Sequence, residues 1–298
     1  MMRSSYAPGY ITITFDPEKG LESVRASLLA ILLKWWDTHK EKWKDIDAIT
    51  QCMMQMVLFK IRSLQEAIKG LPLVPNGQKQ TNYLDLSNIA SITRGIYESA
   101  FIYHNIFIST ENEDERGVLL NIWKIEGYNN RHKIPVPENM EEDALRNVNT
   151  IESLKNATRE ILNRMDIAES ARKIIERVIK RDSSNIKGYR FVKSGNRIIG
   201  FEPIDFTFAR STFEHDFMDG TYSFLSYHSH PSFLSLLQFG QLTGKEHLAD
   251  MANPFLIEAC ICATKFINDA CKVLADGESI KKQVEPNILA TINFFENI

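Results

Sequence analysis

The sequence has little of what loop-rich, secreted or membrane-spanning proteins need. Only 14 Gly and 10 Pro occur among 298 residues, which argues against a β-rich protein with many turns. The longest apolar stretch, residues 27–36, is too short to span a membrane and contains Lys34. The N-terminal segment lacks the apolar core and the cleavage site of a secretion signal. We therefore expect a cytoplasmic protein with no membrane partner.

Charge and cysteine content argue against two further classes. The net charge is −3 and the pI is near 6.2, so no overall positive field directs the chain to nucleic acid, although a local basic patch is still compatible. No C-x-x-C pair is present. We expect the cysteines to be buried free thiols in a reducing compartment. They are Cys52, Cys260, Cys262 and Cys271.

The motifs of common cofactor-dependent enzymes and of hydrolases are missing. The sequence contains no G-x-x-x-x-G-K-[ST], no G-x-G-x-x-G and no G-x-S-x-G. His228 and His230, with His215, Asp216 and Asp219 upstream, would permit a metal site, but no H-E-x-x-H or similar arrangement supports one. We therefore predict neither a cofactor nor a metal ion.

Apolar residues recur at helical spacing along most of the chain, which predicts an all-α multi-helix bundle. We expect one helical domain over residues 1–298, with a peripheral insertion at residues 189–203. That insertion is either a β-hairpin or an irregular loop across the bundle. Residues 10–15 alternate like a short strand, and residues 254–298 predict a C-terminal helical pair. The helices are predicted at residues 17–43, 46–69, 84–108, 115–128, 141–164, 166–181, 213–227, 254–275 and 278–296.

The helix predicted near residues 84–108 carries a charged pair on an apolar stripe. Arg94 and Glu98 are four residues apart and therefore share one helix face, which also carries Ala90 and Phe101. A charged pair on such a stripe is costly unless its groups are paired and hydrogen-bonded. Three interpretations stay open: a buried ion pair between helices, a pair that faces a ligand, or a simple surface pair.

A second cluster follows the pattern Y-x-x-x-S-x-x-x-H-P-S. Tyr222, Ser226 and His230 are four apart, so they share one face if the helix persists to His230. Because a proline follows His230, the helix should end there. The helix dipole would then favour protonation of His228 or His230. Their imidazoles either hydrogen-bond a carboxylate such as Glu98 in the interior or act as a general acid or base.

Arg210 and His215 form a third candidate site. Their spacing resembles the R-x(4–6)-H motif of the HEPN ribonucleases, a helical superfamily of toxins and antiviral effectors. The resemblance implies that Arg210 stabilises a phosphate and that His215 acts in acid–base cleavage of RNA through its 2′-hydroxyl. It covers six residues, and Ser211 stands where HEPN motifs often have Asn, Asp or His.

The order of the first two clusters resembles a large bacterial family of helical proteins, the domain of unknown function five-six-seven-seven. An R-x-x-x-E helix precedes Y-x-x-x-S-x-x-x-H-P-S by about 125 residues, and the resemblance spans roughly residues 50–240, including Trp123 and Arg131. It implies an all-α fold in which the two helices pair. It supplies no established reaction, but members resemble genes found near mobile and defence elements.

Together, these observations predict a polar cluster at which chemistry could occur. We expect Arg94, Glu98, Tyr222, Ser226 and His230 to converge, in a protein of a phage-defence or toxin system. One alternative is a metal-independent HEPN-like ribonuclease with RNA as its partner. Another is a non-enzymatic scaffold that forms a homo-oligomer through its C-terminal helices.

Overall fold

Helices account for most of the chain in the computed structural model, which confirms the all-α prediction. The structure describes residues 15–39, 45–73, 81–132, 141–181, 188–206, 220–230, 233, 235–237 and 245–297. The helices with defined bounds in these ranges are α1 (Pro17–Thr38), α2 (Asp45–Ala67), α3 (Leu86–Phe107), α4 (Glu113–His132), α5 (Glu141–Arg164), α6 (Glu169–Lys180), α7 (Thr221–Ser229), α8 (Lys245–Val273), α9 (Gly277–Lys282) and α10 (Ala290–Glu296).

Two short antiparallel ladders interrupt the helices. Strand β1 (Leu71–Leu73) pairs with β2 (Thr81–Tyr83), and β3 (Tyr189–Ser194) pairs with β4 (Arg197–Pro203). The β3–β4 hairpin confirms the β interpretation of the predicted insertion. Its turn contains Gly195 at φ 58°, a left-handed conformation that favours glycine. The β1–β2 ladder was not predicted, because three-residue strands are too short to show alternation. The strand predicted at residues 10–15 lies outside the described residues.

The first and third helices each begin at an aspartate cap. Asp16 accepts a hydrogen bond from the backbone N–H of Lys19 at 3.2 Å, and Pro17 occupies the first turn of α1. Asp85 in turn accepts from the N–H of Asn88 at 3.0 Å, so it is Asp85 that caps α3.

Helix α4 begins two residues earlier than its apolar pattern predicts. Asn112 accepts a hydrogen bond from the N–H of Glu115 at 3.0 Å, and the Glu115 carboxylate accepts one from the N–H of Glu111 at 2.9 Å. This reciprocal capping satisfies two N–H groups at the helix start. The charged first turn therefore belongs to the helix, although it carries no apolar residue that would reveal this in the sequence.

Helix α8 also differs from the prediction. It begins at Lys245, so Pro254 lies inside the helix rather than at its start. The apolar pattern predicts a helix that begins at Pro254, because proline is common in the first turn of a helix. Instead of a pair of long helices, residues 254–298 contain most of α8 and the two short helices α9 and α10.

Contacts divide the chain into two compact units, and the single-domain organisation stays a prediction. Unit 1 comprises residues 1–101 and 213–298, unit 2 comprises residues 102–212, and the division falls within α3. In unit 1, α8 packs against α1, α2, α9 and α10. The apolar side chains of the C-terminal helices therefore lie in the core of unit 1. Among the described residues, no helix combines the length and hydropathy that a membrane span requires.

In unit 2, α4 packs against α5, and α6 packs against β4 of the hairpin. Burial of apolar side chains from these elements forms a separate core. Tyr189 and Phe201 stack across the hairpin with ring centroids 5.1 Å apart. Members of this core include Leu119, Ile122, Leu162, Ile175 and Phe201.

The cysteines are free thiols, and three of them are buried as predicted. Cys260, Cys262 and Cys271 lie on α8, where burial raises the pKa of Cys271 to about 12 and keeps the thiol neutral. The prediction is wrong for Cys52, which is exposed on α2. Its neighbours Met53 and Met54 face the core, and the helical turn directs Cys52 away from it.

A buried ion pair attaches the hairpin to the start of α4. Lys193 Nζ lies 2.8 Å from carboxylate oxygens of both Glu111 and Glu115. The Glu115 side chain is only 4% exposed, so Lys193 supplies the countercharge that compensates for the loss of water around the carboxylate. Arg190, on the same strand, pairs with Glu202 at a site where both side chains are exposed.

We predict that Lys193→Met lowers the free energy of unfolding by about 2–4 kcal/mol. Removal of one partner leaves a buried carboxylate with only neutral donors. The matched variant Arg190→Met should cost about 0–1 kcal/mol, because an exposed pair contributes little. Urea unfolding of the full chain measures both values. Equal losses in the two variants would contradict the role assigned to the buried pair.

Candidate polar site

Arg94 on α3 bonds to side chains from two parts of unit 1. Its Nε donates to Glu98 Oε1 at 2.9 Å, one turn further along α3. Its Nη2 donates to the hydroxyl of Tyr222 on α7 at 2.7 Å. Its Nη1 lies 3.0 Å from Nε2 of His230, the residue that follows α7. The guanidinium therefore joins the Arg/Glu helix to the Tyr/His helix. These four residues are the polar cluster.

The Tyr222 hydroxyl completes a ring of hydrogen bonds. It accepts from Arg94 and donates to Glu98 Oε1 at 3.2 Å. Burial, together with the Glu98 charge, raises the pKa of Tyr222, so the hydroxyl keeps its proton and can donate. Arg94 Cζ also lies 4.9 Å from the centroid of the Tyr222 ring, within cation–π range.

The charged pair is half-buried. The side chain of Arg94 is 23% exposed and that of Glu98 is 33% exposed, between the buried Ala90 and Phe101 on the same face. Burial opposes the charged form of Arg94, but Glu98 and Tyr222 outweigh it and raise the pKa of the guanidinium. The pair is thus neither sealed in the core nor a simple surface contact.

His230 faces Arg94 and not the carboxylate that was expected to orient it. Glu98 Oε1 is already bonded to Arg94 and Tyr222, so the guanidinium lies between Glu98 and the imidazole. Arginine has only donors, which makes Nε2 of His230 the acceptor and places the proton of the neutral ring on Nδ1. His230 is exposed and extended, with φ −113° and ψ 151°, which confirms that the helix ends before the proline.

Two other residues of α7 do not join the polar cluster. Ser226 lies on the same helix, but its Oγ is buried and has no hydrogen-bond partner among the described residues. His228 is buried against Phe224 and Phe255, with ring centroids 4.7 and 5.4 Å away. Burial lowers the pKa of His228, so protonation favoured by the helix dipole is the wrong expectation for this residue.

The third candidate lies outside the described residues, and the ribonuclease interpretation of Arg210 and His215 stays a prediction. The same holds for Asp216 and Asp219. In the part of the chain that the structure describes, no group of three or more His, Cys, Asp or Glu side chains is arranged to hold a metal ion.

A second cation, Lys60, lies next to Gly95, the residue that follows Arg94 in the chain. A Cβ at Gly95 would stand 2.6 Å from Nζ of Lys60 on α2, so the missing side chain at position 95 leaves room for the ammonium group. Lys60 makes no ion pair with any described residue. The sequence pattern did not indicate this contact, because it joins two helices that are distant in the chain.

Glu258 is the one acidic residue in the apolar run from Phe255 to Ala263. It was not identified as a site residue from the sequence. Its carboxyl group is buried in unit 1 and accepts a hydrogen bond from Thr221 Oγ1 at 3.2 Å. Its Oε1 has no partner among the described residues. Burial raises the pKa of Glu258 to about 8, against a smaller opposing effect of Thr221.

We predict that Glu258 makes stability fall as pH rises. The ordinary pKa of this carboxyl group is 4.5, and its pKa in the folded protein is about 8. At pH values between these two, the folded state keeps a proton that the unfolded state has released. Glu258→Gln keeps a neutral side chain of the same shape, so its stability relative to wild type should increase through this window. The difference in the free energy of unfolding between the variant and wild type should change by at most about 1.4 kcal/mol per pH unit. Urea unfolding at several pH values tests this, and a difference that does not vary with pH would contradict it.

Comparison with known proteins does not assign this chain to a family. No family model matches the chain, and neither the curated proteins nor the solved structures give a significant match. The two family resemblances therefore stay predictions.

Proposed function

We propose that the polar cluster binds a phosphate group of single-stranded RNA and that His230 exchanges a proton there. The observation that carries the proposal is the half-buried guanidinium of Arg94. Three of its five N–H groups serve Glu98, Tyr222 and His230. The other two N–H groups have no partner among the described residues and can donate to an anion, since guanidinium groups bind phosphate oxygens through paired donors.

The surroundings of Arg94 favour tight binding of an anion. Three partners hold the guanidinium in one orientation, so little side-chain entropy is lost when an anion binds. Glu98 offsets the charge of Arg94, and Lys60 of α2, whose ammonium group lies next to Gly95, adds positive charge to this part of unit 1. A phosphate diester carries one negative charge, which this arrangement can neutralise.

His230 supplies a group that can transfer a proton. Its Nε2 accepts from Arg94, and its Nδ1 makes no hydrogen bond with any described residue. An exposed imidazole fixed by one hydrogen bond beside an anion site suits general acid–base chemistry on a phosphate ester.

Exposed aromatic side chains on either side of His230 favour RNA over inorganic phosphate. Tyr227 is 58% exposed and Phe233 is 77% exposed, and each is three residues from His230. Ser235 Oγ donates to the His230 carbonyl at 3.1 Å, so Ser235, two residues after Phe233, lies next to His230. Unstacked bases bind to such rings while the backbone follows positive charge.

The biological setting is a separate proposal. A role in a phage-defence or toxin system is supported by the family resemblance of the Arg/Glu and Tyr/Ser/His motifs. An RNA-binding function would agree with the HEPN-like alternative, in which Arg210 and His215 act on the same kind of substrate. The scaffold alternative, a homo-oligomer formed through the C-terminal helices, stays a prediction.

We predict that Arg94→Lys weakens binding of a labelled single-stranded oligoribonucleotide by roughly tenfold to a hundredfold. Lysine keeps the charge but cannot hold three partners and an anion together, and hydrogen bonds to charged groups contribute about 1.5–3 kcal/mol. Fluorescence anisotropy at one fixed salt concentration measures the affinity. Arg62→Lys, an exposed residue of α2, is the matched control. Unchanged affinity of the Arg94 variant for the oligoribonucleotide would contradict the proposal.

Loss of the aromatic rings should separate RNA from free phosphate. We expect Tyr227→Ala and Phe233→Ala each to weaken oligoribonucleotide binding by roughly fivefold to a hundredfold, since stacking contributes about 1–3 kcal/mol per base. Inorganic phosphate should compete equally well in both variants. Trp36→Ala, an exposed aromatic residue of α1, should leave RNA affinity unchanged. Equal losses in all three variants would show that the rings next to His230 have no specific role.

A further inference from the structure

One turn of α8 is hydrogen-bonded to both of the helices, α3 and α7, that contribute to the polar cluster. The carbonyl oxygen of Phe255 accepts a long hydrogen bond from Thr93 Oγ1 at 3.4 Å. The carboxyl group of Glu258 accepts one from Thr221 Oγ1 at 3.2 Å. Thr93 directly precedes Arg94, and Thr221 directly precedes Tyr222. Each helix that contributes to the cluster is therefore bonded to α8 at the residue before its functional side chain.

We infer that Glu258 is a positioning residue. Together with the turn of α8 that contains it, Glu258 aligns Tyr222 with Arg94. The inference relies on the proposed function only in treating the polar cluster as a phosphate site. The alignment itself can be measured without RNA. Glu258 acts through Thr221 and α7, so it is not assigned contact with substrate.

Packing around the same turn strengthens the connection. The ring of Phe255 stacks on Phe224 of α7 at 5.1 Å and meets His228 at 5.4 Å. Two rings of α7 therefore pack on Phe255, one turn before Glu258. A movement of α8 at this turn would displace α7, and with it the Tyr222 hydroxyl that bonds Arg94 and Glu98.

Glu258 is suited to this role only while it is neutral. Its Oε1 lacks a partner among the described residues, so an ionised carboxylate would leave a buried charge without compensation. Three titratable groups lie close to this turn of α8, namely His228, Tyr222 and Cys262. Burial lowers the pKa of His228 and raises the pKa values of Cys262 and Tyr222, which moves all three away from the range between pH 7 and 8.5. From α3, the residue bonded to this turn is Thr93, which does not titrate.

Removal of the two threonine hydroxyls tests the alignment. We expect Thr93→Val and Thr221→Val to shift the side-chain ¹⁵N resonances of Arg94 and His230, and to weaken oligoribonucleotide binding by about twofold to tenfold each. Thr158→Val is the matched control, because Thr158 is a buried threonine of unit 2 whose hydroxyl bonds to Leu154 within its own helix. The control should change neither quantity.

A pH series tests Glu258 directly. Wild-type affinity for the oligoribonucleotide should fall between pH 7 and 8.5, and the Arg94 resonances should shift with the same midpoint. Glu258→Gln should bind like wild type at pH 7 and lose this pH dependence. A Glu258→Gln protein whose affinity and Arg94 resonances follow pH as in wild type would overturn the inference.

The readouts distinguish failure of the inference from failure of the proposed function. If Arg94→Lys leaves RNA affinity unchanged, the phosphate site is rejected, but the Arg94 and His230 resonances still report the alignment. If these resonances stay unchanged in Thr221→Val and throughout the pH series, Glu258 does not position the polar cluster, whatever the cluster binds.

Discussion

The hydrogen bonds of the Arg94 guanidinium are the interaction on which the polar cluster depends. A half-buried charge on an apolar helix face is costly unless it is paired and its donors are satisfied. Glu98 supplies the countercharge from the same helix, while Tyr222 and His230 supply acceptors from another segment. Because a guanidinium is planar and has five donors, it can serve all three partners and still face solvent. No other side-chain type could hold this arrangement together and remain able to bind an anion.

Three buried polar groups of α7 and α8 lower the stability of the fold. Ser226 Oγ, His228 Nε2 and Glu258 Oε1 are buried without partners among the described residues, and each such group opposes folding. Proteins retain arrangements of this kind mainly where function requires them. The neutral Glu258 carboxyl reduces the cost compared with an ionised one, and its bond to Thr221 gives it a structural use. The same burial that makes Glu258 unfavourable also makes its protonation state matter for the helices around it.

Local signals in the sequence predicted the helices well, and tertiary contacts were predicted only in part. Helix starts depend on a few adjacent residues, as at Asp16 and Asp85, each of which accepts a hydrogen bond from an N–H group three residues later. The spacing of Arg94 and Glu98 predicted their contact for the same reason. That Tyr222 and His230 reach Arg94 was expected from a family resemblance and not from spacing, since 128 and 136 residues separate them from Arg94. Ser226 shares their spacing, but its hydroxyl is buried, because a spacing of four residues does not determine how a short helix is rotated against its neighbours.

The central claim is that Arg94 contacts the phosphate of bound RNA, and the side-chain nitrogen resonances of Arg94 test it most directly. In a titration of ¹⁵N-labelled protein with a single-stranded oligoribonucleotide, the Nη resonances of Arg94 should shift and saturate together with the binding curve. Those of Arg62 on the exposed face of α2 should stay in place. RNA that binds with full occupancy while the Arg94 resonances remain unchanged would contradict the claim.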